Sequence, residues 1–455
     1  MVGFSLLVRA TLSLAIGALP PQLAAQSPEP LQIFASFKSA IETNDLISAG
    51  ARAEELVATI EVQNGKNSRE LVNPLTNLGT VQFRRGDFAL AETSYQRAIA
   101  LIEGQLSGAD RQLIRPLQGL GETYLATGRS VEASVALKRA VDLSRNLDGL
   151  YNLDQLDSVD ALIEAYVAAG QNLHAEREHQ FAFRIAETNF GKRNLQLLDP
   201  LERLARWHEE LGRYSTARVL HARAQQLVEE LSVDKPTLGV PALRGLARCW
   251  MLEAIYGPEA VDGLPIETTE SGGSFANTPG HGRMNTDGLR ALNLAVDTTK
   301  KSVPVDSRLL GEIFAQIGDW HLLSGNLTKA NKSYADSYKA LDVAGPDARR
   351  LLEIPRRLIY RPPAISVTRM QPENPDDYVR RTVEMKLKVG RDGKVQDAVI
   401  AKSTAPENSS RAALLAARKA RFAPRIENGE AVETEGVLMT EQLLIKVQQG
   451  SVTTN

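Results

Sequence analysis

Apolar residues recur at helical spacing through most of the chain, and the recurrence itself repeats. Leu75, Leu78 and Gln82, like Leu117, Leu120 and Tyr124, fall on one stripe of a first helix. A glycine column follows, in which Gly86, Gly128, Gly170 and Gly212 stand 42 residues apart. Two alanine columns keep step with it. Ala91, Ala133, Ala175 and Ala217 come five residues after each glycine, and Ala98, Ala140, Ala182 and Ala224 come twelve after. The glycine is expected to end the first helix, because it takes a left-handed turn without a Cβ penalty. Asp87 is expected to cap the next helix and Phe88 to seal the joint. Ala91, Tyr95 and Ala98 then form a second stripe, whose small residues let helices approach while Tyr95 fills the groove beside them. One period upstream, Asn44 stands in the glycine column and Ala49 in the first alanine column. This predicts a degenerate first repeat over about residues 31–64.

Past residue 232 the register thins. One further helix is predicted at 242–256, followed by a loop insertion at 257–288, rich in Gly, Thr and Ser and without periodicity. The pattern returns in Phe314, Ile317, Gly318, Gly325, Ala330 and Tyr334, so the last repeat is expected to end near Leu341 and the array to occupy 31–345. A linker, 346–371, carries Arg361-Pro362-Pro363. The period then changes from 3.6 to 2. Residues 382–389 alternate as a half-buried strand, Asp392-Gly393 signals a hairpin turn, and 394–401 answer as a second strand. An alanine-rich amphipathic helix at 409–420 and a last alternating strand at 437–447 complete a small α+β unit within 372–448.

Leu75, Leu78, Gly79, Gly86, Phe88, Ala91, Tyr95 and Ala98, with Leu117, Leu120, Gly121, Tyr124, Gly128, Ala133 and Ala140 in the next copy, resemble the tetratricopeptide repeat. The period is 42 instead of about 34, and no proline closes the second helix, so longer helices are expected to absorb the difference. The resemblance implies a mostly α fold, a superhelix of helical hairpins. In the C-terminal unit, Asp392-Gly393-Lys394-Val395, Ala412-Ala413, Lys419-Ala420-Arg421-Phe422-Ala423-Pro424 and Asn428-Gly429-Glu430 resemble the C-terminal domain of the TonB energy transducers. Ala420 stands where that family has an aromatic, and Pro375 and Tyr378 are a scrambled remnant of its Tyr-Pro pair. The resemblance implies an antiparallel sheet with one helix, and an edge that accepts an extended peptide by strand addition.

The N-terminus reads as an address. Residues 1–9 carry one positive charge, 10–19 form an apolar stretch too short to span a bilayer, and Leu23-Ala24-Ala25 suggests a cleavage site. A signal peptide at 1–25 and a periplasmic location are expected, with retention in the inner membrane as the alternative. Composition is globular, at 43% hydrophobic and 24% charged, and the formal net charge is −2. With no basic run, nucleic acid is not an expected partner. Cys249 is the single cysteine, which excludes an intramolecular disulfide or a Cys-X-X-Cys motif.

Candidate chemistry is sparse. Trp207-His208-Glu209-Glu210 lacks a second histidine at i+4, His174 and His179 lie on different helix faces, and Gly280-His281-Gly282 lacks the strand and third glycine of a dinucleotide loop. Gly272-Gly273-Ser274 lacks a nucleophile elbow. No catalytic, cofactor or metal site is therefore expected. Repeat arrays bind along the surface lined by first helices. Projecting the family's groove positions selects Asn73, Thr76, Arg84, Gln118, Glu122, Asp160, Glu164, Glu202, Arg206 and Glu209. The acidic later copies favour a basic segment. In the C-terminal unit the expected docking edge is Leu438, Thr440, Gln442, Leu444 and Lys446. The function these features suggest is a non-enzymatic periplasmic scaffold for protein or peptide partners of the cell envelope. An outer-membrane receptor or a second copy of the chain is a candidate at the C-terminal domain. The alternative is an energy-transducing component anchored in the inner membrane and acting on outer-membrane receptors.

Overall fold

The computed structural model describes residues 28–104, 110–232, 234–257, 286–369 and 377–447. The expected signal peptide and nearly all of the 257–288 insertion, including His281, lie outside the described residues. The chain divides into two compact units between Leu204 and Ala205.

The first unit is built of helical hairpins. Its helices are α1 (Pro28–Glu42), α2 (Leu46–Asn64), α3 (Val72–Arg85), α4 (Phe88–Glu103), α5 (Ile114–Ala126), α6 (Ser130–Asp148), α7 (Leu156–Ala168) and α8 (Asn172–Phe190), with the start of α9 (Leu198–Glu210). Each first helix ends in the glycine column. Gly86, Gly128 and Gly170 have φ of 83°, 78° and 72°, and Asn44, in the same register, takes φ 56°. At Gly86 the amide bonds the Phe83 carbonyl and the Asp87 amide bonds that of Gln82, so carbonyls otherwise unsatisfied at the helix end are paired. Asp87 occupies the N-cap of α4, but its side chain makes no capping bond and instead meets the Arg85 guanidinium at 3.1 Å. The expected cap is thus an ion pair on the same turn.

Part of the long period goes into a short 3₁₀ turn ahead of each first helix, at Arg69–Leu71, Arg111–Leu113, Leu153–Gln155 and Leu195–Leu197. Ser68, Asp110, Asn152 and Asn194 cap these turns, their side-chain oxygens accepting from backbone amides of Glu70, Gln112, Gln155 and Gln196. The second helices are also long, 16 residues in α4 and 19 in α6 and α8. Ala49, Ala91, Ala133 and Ala175 are fully buried, and Tyr95 is 1% exposed. A Cβ on Gly119 would come within 2.3 Å of the Tyr95 ring, and one on Gly79 within 2.8 Å. The ring needs both glycines.

The second unit holds the rest of α9, then α10 (Tyr214–Leu231), α11 (Val240–Tyr256), α12 (Thr286–Lys300), α13 (Ser307–Leu323) and α14 (Leu327–Ala344). The expected insertion therefore ends before Gly288, which lies in α12 against the Trp320 ring. The described part of the expected linker, 346–369, contains a helical turn and a strand. After a helical turn, α15 (Pro346–Arg349), strand β1 (Arg356–Ile359) pairs antiparallel with β4 (Arg421–Ala423). Arg356 reaches back to the buried Asp319 of α13, contacting both carboxylate oxygens at 3.0 Å, while the Tyr334 hydroxyl donates to Asp319 at 2.9 Å.

The three-stranded antiparallel sheet has the order β3-β2-β7, with β2 (Tyr378–Val389) central, β3 (Val395–Ser403) on one side and β7 (Thr434–Lys446) on the other. Helix α16 (Glu407–Arg418) covers one face, burying Ala413 and Ala417 against Val383, Met385 and Leu387. The alternation in β2 decides which side chains those are. A small hairpin of β5 (Arg425–Glu427) and β6 (Glu430–Val432) turns at Asn428-Gly429, where φ is 51° and 83°. Ala423, Ile426 and Ala431 pack on Leu322, Tyr334 and Leu341 of the last repeat, covering the apolar face that an array leaves at its end.

Candidate partner-binding surfaces

On the first unit, a chain of carboxylates runs across the first helices. Glu122 lies on α5, and Asp157, Asp160 and Glu164 lie on α7. Burial pushes the Glu122 carboxyl up to about 7, and the charges of Glu164 and Asp157 push the same way, against a hydrogen bond from Gln118. Burial likewise raises Glu164, aided by Asp160, and raises Asp160 despite its ion pair with Arg203. These carboxylates interact with one another and would be relieved by an added positive charge.

The other projected groove positions are placed unevenly. Arg84 donates to Asn44 at 2.7 Å, and Gln118 donates to Glu122 at 3.1 Å while accepting from Ser158. Asn73 is half-buried, and Glu202 and Arg206 engage neighbours of their own. Thr76 is 2% exposed and its hydroxyl donates to the Val72 carbonyl, so it supports α3 and offers nothing to a groove surface. Glu209 also departs from the expectation. Its side chain is 8% exposed and accepts from Arg248, His221 and Cys249. Helical register alone could not separate these two from the exposed positions, because neighbouring helices decide which side of a first helix stays open.

At the sheet, from Val437 onward the odd-numbered residues of β7 turn their backbone polar groups to β2 and the even-numbered ones turn them outward. The outward set contains Leu438, Thr440, Gln442, Leu444 and Lys446. Two of them are taken by the chain itself: the Leu444 amide donates to the Ile365 carbonyl at 2.8 Å, and the Val367 amide donates to the Gln442 carbonyl at 3.0 Å. Ser366 bridges opposite Leu443. A side-chain latch backs this pairing, with Tyr360 Oη donating to the buried Glu441 at 2.6 Å and Ser366 Oγ to its other oxygen. Burial and the adjoining Glu441 charge hold the Tyr360 hydroxyl above its ordinary range. Leu438 and Thr440 carry no such cover among the described residues, and the Leu438 side chain is 72% exposed. The outer edge of β3 is likewise unpaired among the described residues. Sequence patterning missed the 365–367 segment, because a three-residue pairing leaves no periodicity to read.

Among the described residues no helix is long and apolar enough to cross a membrane. Comparison with known proteins agrees with this architecture. Residues 48–146 match the tetratricopeptide repeat family model, and residues 381–441 match that of the Gram-negative bacterial TonB protein C-terminal. No curated protein is similar enough to count as a match. Among solved structures, kinesin light chain TPR-like repeats of Podosopora anserina are 17% identical, with 45% of this chain and 99% of that one covered at a TM-score of 0.41. BtubC of P. vanneervenii is 14% identical over 66% and 91% of the two chains, TM-score 0.38. A TPR repeat-containing protein of Cytophaga hutchinsonii is 12% identical over 70% and 100%, TM-score 0.40. The chain thus carries a tetratricopeptide-repeat region at 48–146 and a domain of the TonB C-terminal kind at 381–441, two module types that serve protein interaction.

Proposed function

We propose that this chain is a non-enzymatic interaction scaffold of the periplasm, holding a basic protein segment along the first-helix groove and a second partner by strand addition at β7. The observation that carries the proposal is the outward backbone at Leu438 and Thr440, next to an exposed leucine side chain on an otherwise paired strand. An extended segment laid there would complete main-chain hydrogen bonds and cover Leu438. The interacting carboxylates of Glu122, Asp160 and Glu164 support the choice of a basic occupant for the groove. Carrying both modules on one chain raises the local concentration of one partner near the other. The match to a Gram-negative bacterial domain supports a cell-envelope location.

A photo-crosslinking residue at Leu438, introduced in a Gram-negative host, tests the edge. An adduct that forms in the wild-type background and disappears with Thr440→Pro, which deletes an outward amide, is the expected result. An adduct indifferent to Thr440→Pro would overturn strand addition. Intact mass and fractionation in the same cells test location. A soluble periplasmic species beginning near Gln26 is expected, whereas a full-length inner-membrane species would favour the energy-transducing alternative.

A further inference from the structure

Glu209, His221 and Cys249 come from three successive helices, α9, α10 and α11, and one ligating atom from each lies within 4.8 Å of the other two. Glu209 Oε1 is the meeting point, 2.8 Å from His221 Nε2 and 3.3 Å from Cys249 Sγ. Cys249 is fully buried and the His221 ring is closed off from solvent. Arg248 fixes the carboxylate, with Nε at 2.5 Å from Oε2 and Nη2 at 3.0 Å from Oε1. The backbone makes room for the imidazole: a Cβ on Gly245 would come within 2.3 Å of the ring, as one on Gly119 would with Tyr95.

The 42-residue register shows that this chemistry is a local departure. The positions of Glu209, His221 and Cys249 are held by Phe83, Tyr95 and Thr123 three periods earlier, by Leu125, Leu137 and Ala165 two periods earlier, and by Val167, His179 and Trp207 one period earlier. The hairpin joint closes in those copies without a carboxylate and thiol. An acid, an imidazole and a thiol buried together are costly to desolvate, and such exceptions to a repeat's own rule mark sites.

We propose that Glu209, His221 and Cys249 form a binding site for one divalent metal ion of the zinc class. A thiolate, an imidazole nitrogen and a carboxylate oxygen are the donors such an ion takes, with water completing the tetrahedron. Ligands on a centre with bonds of about 2.0–2.3 Å stand roughly 3.3–3.6 Å apart, so the sulfur–oxygen separation already suits the ion and the nitrogen–oxygen contact opens by about half an ångström. Arg248 keeps its hold on Oε2 and orients the carboxylate from behind. Binding breaks the Cys249 S–H bond, forms the metal–sulfur bond and releases that proton to solvent. His221 gives up its Nε2 hydrogen for the metal and carries its proton on Nδ1. Burial and the Glu209 charge hold the thiol protonated when no cation is present.

Cobalt(II) titration of the purified full chain under anaerobic conditions tests the site. The expected result is a thiolate-to-cobalt absorption band saturating at one ion per chain, displaced by zinc, absent in Cys249→Ser and weakened at least about tenfold in His221→Gln. Wild-type protein without the band, or a band retained by Cys249→Ser, overturns the proposal. Should Cys249→Ser fail to fold by circular dichroism, the wild type alone decides. Zinc added to weakly buffered protein at neutral pH must release about one proton per ion bound, and zinc uptake without release overturns the site, as does no uptake.

Discussion

The ring of Tyr95, on the second helix of one repeat, lies against Gly119, on the first helix of the next, so closely that a single added methyl would overlap it at 2.3 Å. The same chain solves this joint again with His221 and Gly245, and within the last hairpin Tyr334 presses on Gly318 as Tyr95 does on Gly79, so that a Cβ there would fall within 2.5 Å of the ring. Large rings pressed on glycines are how these helices reach close packing.

Gly119→Ala should destabilise the protein by about 1–3 kcal/mol, although alanine is the better helix former by about 1 kcal/mol. The ring cannot retreat, since Gly79 bounds its other side. Urea denaturation checks this. Combining Gly119→Ala with Tyr95→Leu should recover part of the loss, because the smaller side chain vacates the space.

Asp319→Asn should cost about 2–3 kcal/mol, below the roughly 3–5 kcal/mol of a fully buried pair because Arg356 keeps some contact with water. The loss should be seen as destabilisation of the second unit, since Asp319 joins α13 to β1. Replacing both partners by Leu and Met should be milder than Asp319→Asn alone, and a harsher double variant would show that the pair contributes more than shape.

Glu122 makes stability depend on pH. Its carboxyl is raised from 4.5 to about 7 in the fold, first by burial, so the native state binds more protons than the unfolded chain between those values. Stability from this group is full below pH 4.5 and is lost as pH rises through about 7. Glu122→Gln should flatten that part of the profile and exceed wild type above neutrality. A basic peptide bound in the groove should shift the wild-type midpoint downward, which NMR titration of the carboxyl would detect.

Thr440→Pro should leave the thermal midpoint within a few degrees of wild type, because the amide it deletes faces away from β2. Leu443→Pro, whose amide faces β2 across from Arg381, should unfold the sheet. Circular dichroism of the two variants separates the outward from the inward set.

Much of the fold was legible because it is local. The 42-residue register announced the hairpins as far as α10 but not α12, and it placed Asn44 correctly in the left-handed position, since asparagine tolerates αL when glycine is missing. Asp87 misled, because a residue at an N-cap has a choice of partners and Arg85 stood closer to its carboxylate. The cap column of Ser68, Asp110, Asn152 and Asn194 was visible at the same period, and a search for Ser/Asp/Asn recurrence would have found it. Strand β1 carried no signal, being four residues long and paired with a partner brought near by the fold, and β5 and β6, three residues each on either side of their Asn428-Gly429 turn, are too short to show alternation.

By itself the sequence determined the module types and their order, the turn at each glycine, and the alternation that sets the inward and outward faces of β7. Those follow from period and backbone freedom within a few residues. Only the tertiary structure decided which polar side chains remain available. It buried Thr76 and Glu209, laid residues 365–367 over two of the five expected edge residues, and brought Glu209, His221 and Cys249 to one point although Glu209 and Cys249 stand 40 residues apart. Contacts between helices and strands far apart in sequence control burial, and burial controls charge and access.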